Sequence, residues 1–280
     1  MGSLDGRVAI ITGAGRGLGR AHALLFAEEG AKVVVNDLGP EADEVVAEIQ
    51  AAGGEAVASA ADVTDWSAGQ ALVDLAVGTF GGLHVLVNNA GFLRDRVLVN
   101  MPEQEWDDVV AVHLKGHFVV TRFAAAHWRE QVKAGAEVKA SIIHTSSTSG
   151  LLGNPGQTNY GAAKAGIGAF SIICAQELAR YGIRSNCIAP AARTRLTEAT
   201  PGLGDVVAAP TDGFDVWDPA NVSPLVAYLA TADCDLTGRT FFVQGGVVRV
   251  LEPWHLGERV ERDGRWTVED LAAAVPGLFT

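Results

Sequence analysis

The sequence predicts a doubly wound α/β domain: one parallel sheet of about seven strands with helices on both faces. Three observations carry this. Short runs rich in β-branched residues alternate with longer alanine-rich stretches from residue 7 to about residue 245. Those runs are apolar without clean alternation, the pattern of strands buried on both faces. No repeat, low-complexity tract or linker divides the 280 residues, a length that one large domain can fill.

Taken in order, RVAIIT and KVVVN predict strands at 7–12 and 32–36, followed by further strands at 55–60, 84–88, 140–145, 183–188 and 240–243. Helices are expected between them, at 17–29, 41–52, 66–80, 103–134, 158–181 and 219–230. Pro102 before an acidic first turn marks one helix start, and Gly182 sits at the C′ position that ends another. The connection 191–218 is too long for a plain link and reads as a lid over a ligand. Residues 1–246 are expected to form the domain. A tail, 247–280, carries Trp254, Trp266 and a short helix near 268–274, and should pack on the same domain or on a neighbouring subunit.

Composition bounds the function. Hydrophobic residues make up 48% and charged residues 19%, as in a globular chain. A formal net charge of -12 argues against nucleic acid as partner. Three cysteines without metal-type spacing suit a reducing compartment. No apolar run approaches the roughly 18 residues of a membrane span, so no membrane is expected. The N-terminus runs straight into a strand and leaves no room for a signal peptide. A cytoplasmic location is the expectation.

The first motif is the turn Thr12-Gly13-Ala14-Gly15-Arg16-Gly17-Leu18-Gly19, between the first strand and first helix. Glycines there permit positive φ and close approach to a pyrophosphate, and the helix N-terminus favours the anion. Asp37 ends the second strand, where a carboxylate accepts hydrogen bonds from an adenosine ribose and repels a 2′-phosphate. That favours NAD over NADP. Arg16, a cation inside the turn, pulls the other way.

The second motif is Tyr160-Gly-Ala-Ala-Lys164, a phenol and an ammonium on one helix face. A neighbouring cation should bring a phenol from about 10 towards neutrality, as a general acid/base requires. Ser147, at the end of the fifth strand, can reach the crevice where open α/β sheets bind ligands.

In this order, TGxxxGxG, NNAG (88–91), Ser147 and YxxxK, the chain resembles the short-chain dehydrogenase/reductase family over about residues 5–246. The resemblance implies a Rossmann-type sheet in which Tyr160 is the acid/base. Lys164 would bind the nicotinamide ribose and lower the tyrosine, and Ser147 would orient the substrate. It also implies that Asn88, Asn89, Ala90 and Gly91 line the cofactor side, with Asp62 and Val63 by the adenine and Pro190 retained after the sixth strand. It implies a homotetramer or homodimer. Two positions depart from the family. His113 stands where an asparagine supports a water relay to the lysine, and Ala191 replaces a glycine, leaving Thr194 as a weak nicotinamide contact. His113 and His117 have helical metal-ligand spacing but no HExxH pattern or third ligand, so no metal is expected.

Within the family, VVVNDLG (33–39), FLRDR (92–96), VHLKG (112–116) and GNPGQTNY (153–160) resemble the (3R)-hydroxyacyl-CoA dehydrogenase module of a peroxisomal multifunctional enzyme, which shares the histidine. Arg94 and Arg96 read first as ion-pair partners of Asp95 and nearby acids, and second as contacts for CoA phosphates. The function expected is hydride transfer between NAD and a secondary alcohol or ketone, with a (3R)-hydroxyacyl-CoA or a hydroxysteroid as substrate. The alternatives are an NADPH-dependent 3-oxoacyl-thioester reductase and a catalytically silent cofactor-binding protein. Asp37 opposes the first, and the intact Ser147, Tyr160 and Lys164 oppose the second.

Overall fold

Val33, Val34 and Val35 are wholly buried in the second strand, as are Val85, Leu86 and Val87 in the fourth, so the sheet is covered on both faces. The computed structural model describes residues 2–194, 197, 204, 206–252 and 254–279. Its strands are β1 (Val8–Thr12), β2 (Lys32–Asn36), β3 (Glu55–Ser59), β4 (Val85–Asn88), β5 (Ala140–Thr145), β6 (Ile183–Pro190), β7 (Thr240–Gln244) and β8 (Val247–Leu251). They lie in the order β3-β2-β1-β4-β5-β6-β7-β8. The first seven are parallel, and β8 returns antiparallel to β7. The expected count of about seven therefore misses this last hairpin. Val247, Val248 and Val250 are exposed, so β8 lacks the buried apolar run by which the other strands were recognised.

The helices are α1 (Gly17–Glu28), α2 (Glu41–Ala51), α3 (Trp66–Phe80), α4 (Glu103–Val110), α5 (Gly116–Lys133), α6 (Thr148–Leu152), α7 (Thr158–Leu178), α8 (Ser223–Ala230) and α9 (Val268–Ala274). One core cluster joins Phe26, Ile49 and Val226, from α1, α2 and α8, to one face of the sheet. The other joins Leu72, Val120 and Trp128, from α3 and α5, to the opposite face.

The single helix expected over 103–134 is continuous but not uniform. A π turn, Ala111–Lys115, joins α4 to α5. By length and composition this 31-residue run is apolar enough to cross a membrane, although no such run stood out in the sequence. Within the fold, 44% of its apolar window is buried.

Chain order reverses between β1 and β4, since β2 and β3 lie to one side and β5 to β8 to the other. Such a switch point opens a crevice at the strands' C-terminal ends. Thr12 Oγ1 accepts the backbone N–H groups of Asn89 and Ala90 at 3.0 and 3.1 Å, and Asn89 Nδ2 donates back to the carbonyls of Thr12 and Gly13, both at 3.1 Å. Neighbouring strands are thereby tied where ladder bonding ends.

Part of the expected lid, residues 195, 196, 198–203 and 205, lies outside the described residues. Its two ends are tied together. Arg193 donates its backbone N–H to Trp217 O at 2.6 Å, and its guanidinium pairs with Asp215 and reaches Val207 O at 2.9 Å. In the tail, α9 opens with a capping box between Thr267 and Asp270 and packs against the 3₁₀ turn Val275–Phe279. Trp254, Leu256, Val268 and Phe279 are exposed.

Trp128 is the largest fully buried side chain, and its Nε1 donates to Leu83 O at 2.8 Å. Trp128→Ala should cost about 3–5 kcal/mol in urea denaturation, and Trp128→Phe distinctly less, because most of the ring volume is kept. Equal losses would mean that the hydrogen bond, not the packing, holds this face.

Candidate active site

The glycine turn is as tight as a backbone permits. Gly13 has φ +62°, and a Cβ there would lie 2.7 Å from Ala90 Cα; one on Gly19 would lie 2.1 Å from Gly13 O. This corrects one expectation. Gly19 is buried under the turn, where it lets α1 approach, and does not line the cavity. Gly13, Arg16, Gly17 and Leu18 do line it.

The cavity has a volume of about 760 Å³ and runs from this turn to Tyr160 and Lys164. Asp37, Asp62, Val63, Asn89, Ala90, Gly91, Pro190 and Ser147 all line it, Asp37 following β2 on one side of the switch point and Ser147 following β5 on the other. Asn88 does not take part. It is buried, and its Nδ2 donates to Thr121 Oγ1 at 2.9 Å. Thr194 lies across from the turn, 3.5 Å from the Cβ that Gly17 lacks. Asp37 Oδ2 accepts the Gly15 N–H at 2.9 Å, which fixes one carboxylate oxygen and leaves Oδ1 for a ligand. Arg16 is paired with Glu41. A dinucleotide fits this chain: N–H donors of α1 for the pyrophosphate, a carboxylate for the ribose, and a bare backbone between them.

Two elements bring Ser147 to Tyr160. Ser146 Oγ donates to Lys164 O at 2.8 Å, pinning the end of β5 to α7. A Cβ on Gly150 would lie 2.5 Å from Ala165 N, so α6 rests directly on α7. Ser147 is the N-cap of α6, and its Oγ accepts the Ser149 N–H at 3.1 Å.

Lys164 is buried, its Nζ donating to Thr145 O at 2.5 Å and standing 5.5 Å from the Tyr160 ring centre. Burial pulls this ammonium down to about 7. The Tyr160 phenol goes the opposite way from the sequence expectation. Burial pushes it up to about 12, outweighing a hydrogen bond with Ser147 that lowers it, and the Asp95 carboxylate adds to the rise. A carboxylate and a low-dielectric wall act on the phenol together, and both oppose its charged form.

His113 lies in the π turn with its ring edge-on to Tyr160, centres 5.1 Å apart. Its Nε2 is 2.8 Å from Phe92 O, the shorter of two contacts with that residue, which assigns the proton to Nε2 and leaves Nδ1 bare. Burial, followed by the nearby Lys164 charge, holds His113 down to about 3. His117 and His144 are buried beside it, their Nδ1 atoms 3.3 Å apart, and both are pulled down chiefly by burial. Among the described residues no group of three or more His, Cys, Asp or Glu side chains could hold a metal ion.

Sequence reasoning missed other residues of the cavity wall: Phe92, Leu93, Asn154, Gln157 and Trp217. Phe92 and Gln157 fall in the FLRDR and GNPGQTNY stretches, but nothing in their spacing marks them as lining. Arg96 pairs with Glu105 through two contacts of 2.6 and 2.7 Å, the ion pair the sequence suggested.

Lys164→Met should stabilise the protein while lowering turnover by about 100-fold or more, since a buried ammonium gives way to an apolar chain of similar length. The folded value of about 7 lies below the usual 10.5, so the charged lysine opposes folding. That cost is full below pH 7 and fades as pH rises towards 10.5. The gain in denaturation midpoint should therefore be larger at pH 6 than at pH 9. A loss of stability at pH 6 would contradict this account.

Comparison with known proteins agrees with this geometry. The short chain dehydrogenase family model matches residues 7–202. The chain is 45% identical to the hydroxyacyl-CoA dehydrogenase ChsB1 of Mycobacterium tuberculosis, over 99% of this chain and 89% of that protein. It is 46% identical to the peroxisomal multifunctional enzyme type 2 of Drosophila melanogaster over 84% of this chain, which spans only 38% of that protein. Among solved structures, a short chain dehydrogenase from Mycobacterium avium superposes with a TM-score of 0.91 at 50% identity, covering 99% of this chain and 96% of the other. The chain belongs to the short-chain dehydrogenase/reductase family of oxidoreductases, whose dehydrogenases use nicotinamide cofactors.

Proposed function

We propose that this protein oxidises a (3R)-hydroxyacyl-CoA, or a bulky secondary alcohol of the hydroxysteroid kind, with NAD. One observation carries the reading: Asp37 and the pair Ser147–Tyr160 line a single cavity. The strand order β2-β1-β4-β5 sets Asp37 and Ser147 on opposite sides of the switch point, which suits a dinucleotide laid from adenosine to nicotinamide with the alcohol beyond. The printed names of the two relatives, a hydroxyacyl-CoA dehydrogenase and a multifunctional peroxisomal enzyme, support the substrate class.

In this reading Ser147 donates its hydroxyl proton to the substrate oxygen, while the Ser149 N–H holds one of its two lone pairs and so orients the hydroxyl. Tyr160, as phenolate, takes the alcohol proton. When bound, the oxidised nicotinamide supplies the hydride acceptor and a positive charge. Lys164 is held by Thr145 O near the phenol and beside the cofactor cavity. NAD is favoured over NADP because Asp37 would repel a 2′-phosphate, while Arg16 is already engaged by Glu41. Phe92, Leu93 and Trp217 give the substrate end an apolar wall.

We further propose a homodimer or homotetramer in which the tail 247–280 reaches a neighbouring subunit's active site. Its exposed Trp254, Leu256, Val268 and Phe279 lack cover within their own chain.

Initial rates with NAD and NADP across (3R)- and (3S)-hydroxyacyl-CoAs and hydroxysteroids test the reading. NAD should be preferred at least about ten-fold, a difference of roughly 1.4 kcal/mol, and Asp37→Ser should narrow that gap. Tyr160→Phe should abolish turnover and leave NAD affinity within about two-fold, because only the proton carrier is lost. A wild-type preference for NADP would replace this reading with the reductase one. Truncation after Leu251 should raise KM for long acyl chains more than for short ones, and equal effects would confine the tail to a structural role.

A further inference from the structure

Two stretches far apart in sequence meet beside Ser147. Gln157 is buried, and its Nε2 donates to Asp95 Oδ2 at 2.8 Å across 62 residues of chain. Its Oε1 accepts from Ser149 Oγ at 2.8 Å and from Asn154 Nδ2 at 2.9 Å. Backbone contacts hold the stretches together, with Arg96 N–H donating to Gly156 O at 2.7 Å and a single bridge between Arg96 and Gln157. Asn159 adds two donations from Nδ2, to Arg94 O and Glu105 O, each at 3.0 Å.

The order of donors follows from Asp95. An ionised carboxylate only accepts, so the Gln157 amide must turn Nε2 towards it and Oε1 away. Oε1 then accepts, which makes the Ser149 hydroxyl a donor. That contact sets Ser149 where its backbone N–H reaches Ser147 Oγ. Ser147 accepts there, and its own proton, shared with the Tyr160 phenol until substrate enters, turns to the reacting oxygen.

We infer that Asp95 and Gln157 are positioning residues: a hydrogen-bond chain from the loop after β4 aims the Ser147 hydroxyl at the substrate. The inference rests on the reading of Tyr160 as acid/base. Asp95 has a second effect, since its charge adds to the rise of the phenol. The other charged or titratable groups around Tyr160 are Lys164 on its own helix and His113 from the π turn. On the Asp95 loop, Arg94 lies over the Phe92 ring at 4.7 Å, and Arg96 is taken by Glu105.

The test uses the full chain with NAD and whichever secondary alcohol of the panel is oxidised fastest. Gln157→Leu should lower kcat about ten-fold, the order of one misaligned hydrogen bond in the transition state, with KM for NAD and the melting temperature little changed. Gln157→Glu sets two carboxylates against each other and should also lose rate. Adding Asp95→Asn to it restores a donor–acceptor pair, so the double variant should recover rate relative to Gln157→Glu alone. Asp95→Asn by itself should move the limb of the kcat/KM profile governed by the phenol to lower pH, because a charge that opposes the phenolate is gone. Should Gln157→Leu fail to fold, the Gln157→Glu and Asp95→Asn variants decide alone. Unchanged kcat in both Gln157 variants, or no rescue with an unmoved pH limb, overturns the inference. Tyr160→Phe separates the two readings. An active Tyr160→Phe sinks the acid/base assignment, whereas an inactive one beside unaffected Gln157 variants sinks only this inference.

Discussion

Thr12 and Asn89 exchange hydrogen bonds across the one place in the sheet where the connections diverge. At a switch point the two strand ends lead to opposite sides, so the loops above them have no reason to touch. Here a hydroxyl takes two N–H groups from one side, and an amide returns to two carbonyls on the other. Buried backbone groups that would otherwise be orphaned are satisfied, and the glycine turn and the 89–91 loop are held at one separation. The cavity floor is that pair of loops. Its far wall follows because β4, β5 and β6 continue in parallel register and deliver Ser147 and Pro190 at the same level.

Burial then decides the electrostatics of that wall. It drives the ammonium of Lys164 down, the phenol of Tyr160 up, and the three imidazoles His113, His117 and His144 below their usual range. Neutral imidazoles are what the site requires, since a protonated one beside Lys164 would set two buried cations together. The protein thus concentrates titratable groups while keeping net buried charge small. Burial at a site that must shed water opposes both working charges, so stability and chemistry pull apart at Lys164.

Much of this was legible in the chain. β-branched runs gave all seven parallel strands, and the motif order placed Tyr160, Lys164, Ser147 and Asp37 around one cavity. What escaped reading shares a physical cause. β8 packs no core face, so hydrophobicity could not announce it. Gly19 and Asn88 sit inside motifs that line the cavity, yet Gly19 serves the close approach of α1 to the turn and Asn88 donates inward to Thr121. Their place in a motif does not reveal which of its residues face the cavity. The spacing of Tyr160 and Lys164 shows only the nearest cation, whereas burial and Asp95, distant in sequence, raise the phenol and outweigh the Ser147 hydrogen bond that lowers it. The Asp95–Gln157 chain joins loops that no local spacing connects.

The π turn at Ala111–Lys115 has a consequence for how this chain can change. Such a turn holds one residue more than a regular helix of the same rise. Deleting one residue there would close the wide turn to regular α-helix and leave α4 and α5 in the phase they already have, because the extra residue is taken up within one revolution. The packing of α5 behind β4 would survive. The loss would fall on the turn itself, where His113 meets Phe92 and the Tyr160 ring. The extra residue is thus held in place by the site and not by the frame of the helix. A shortened chain would keep its fold and misplace one imidazole.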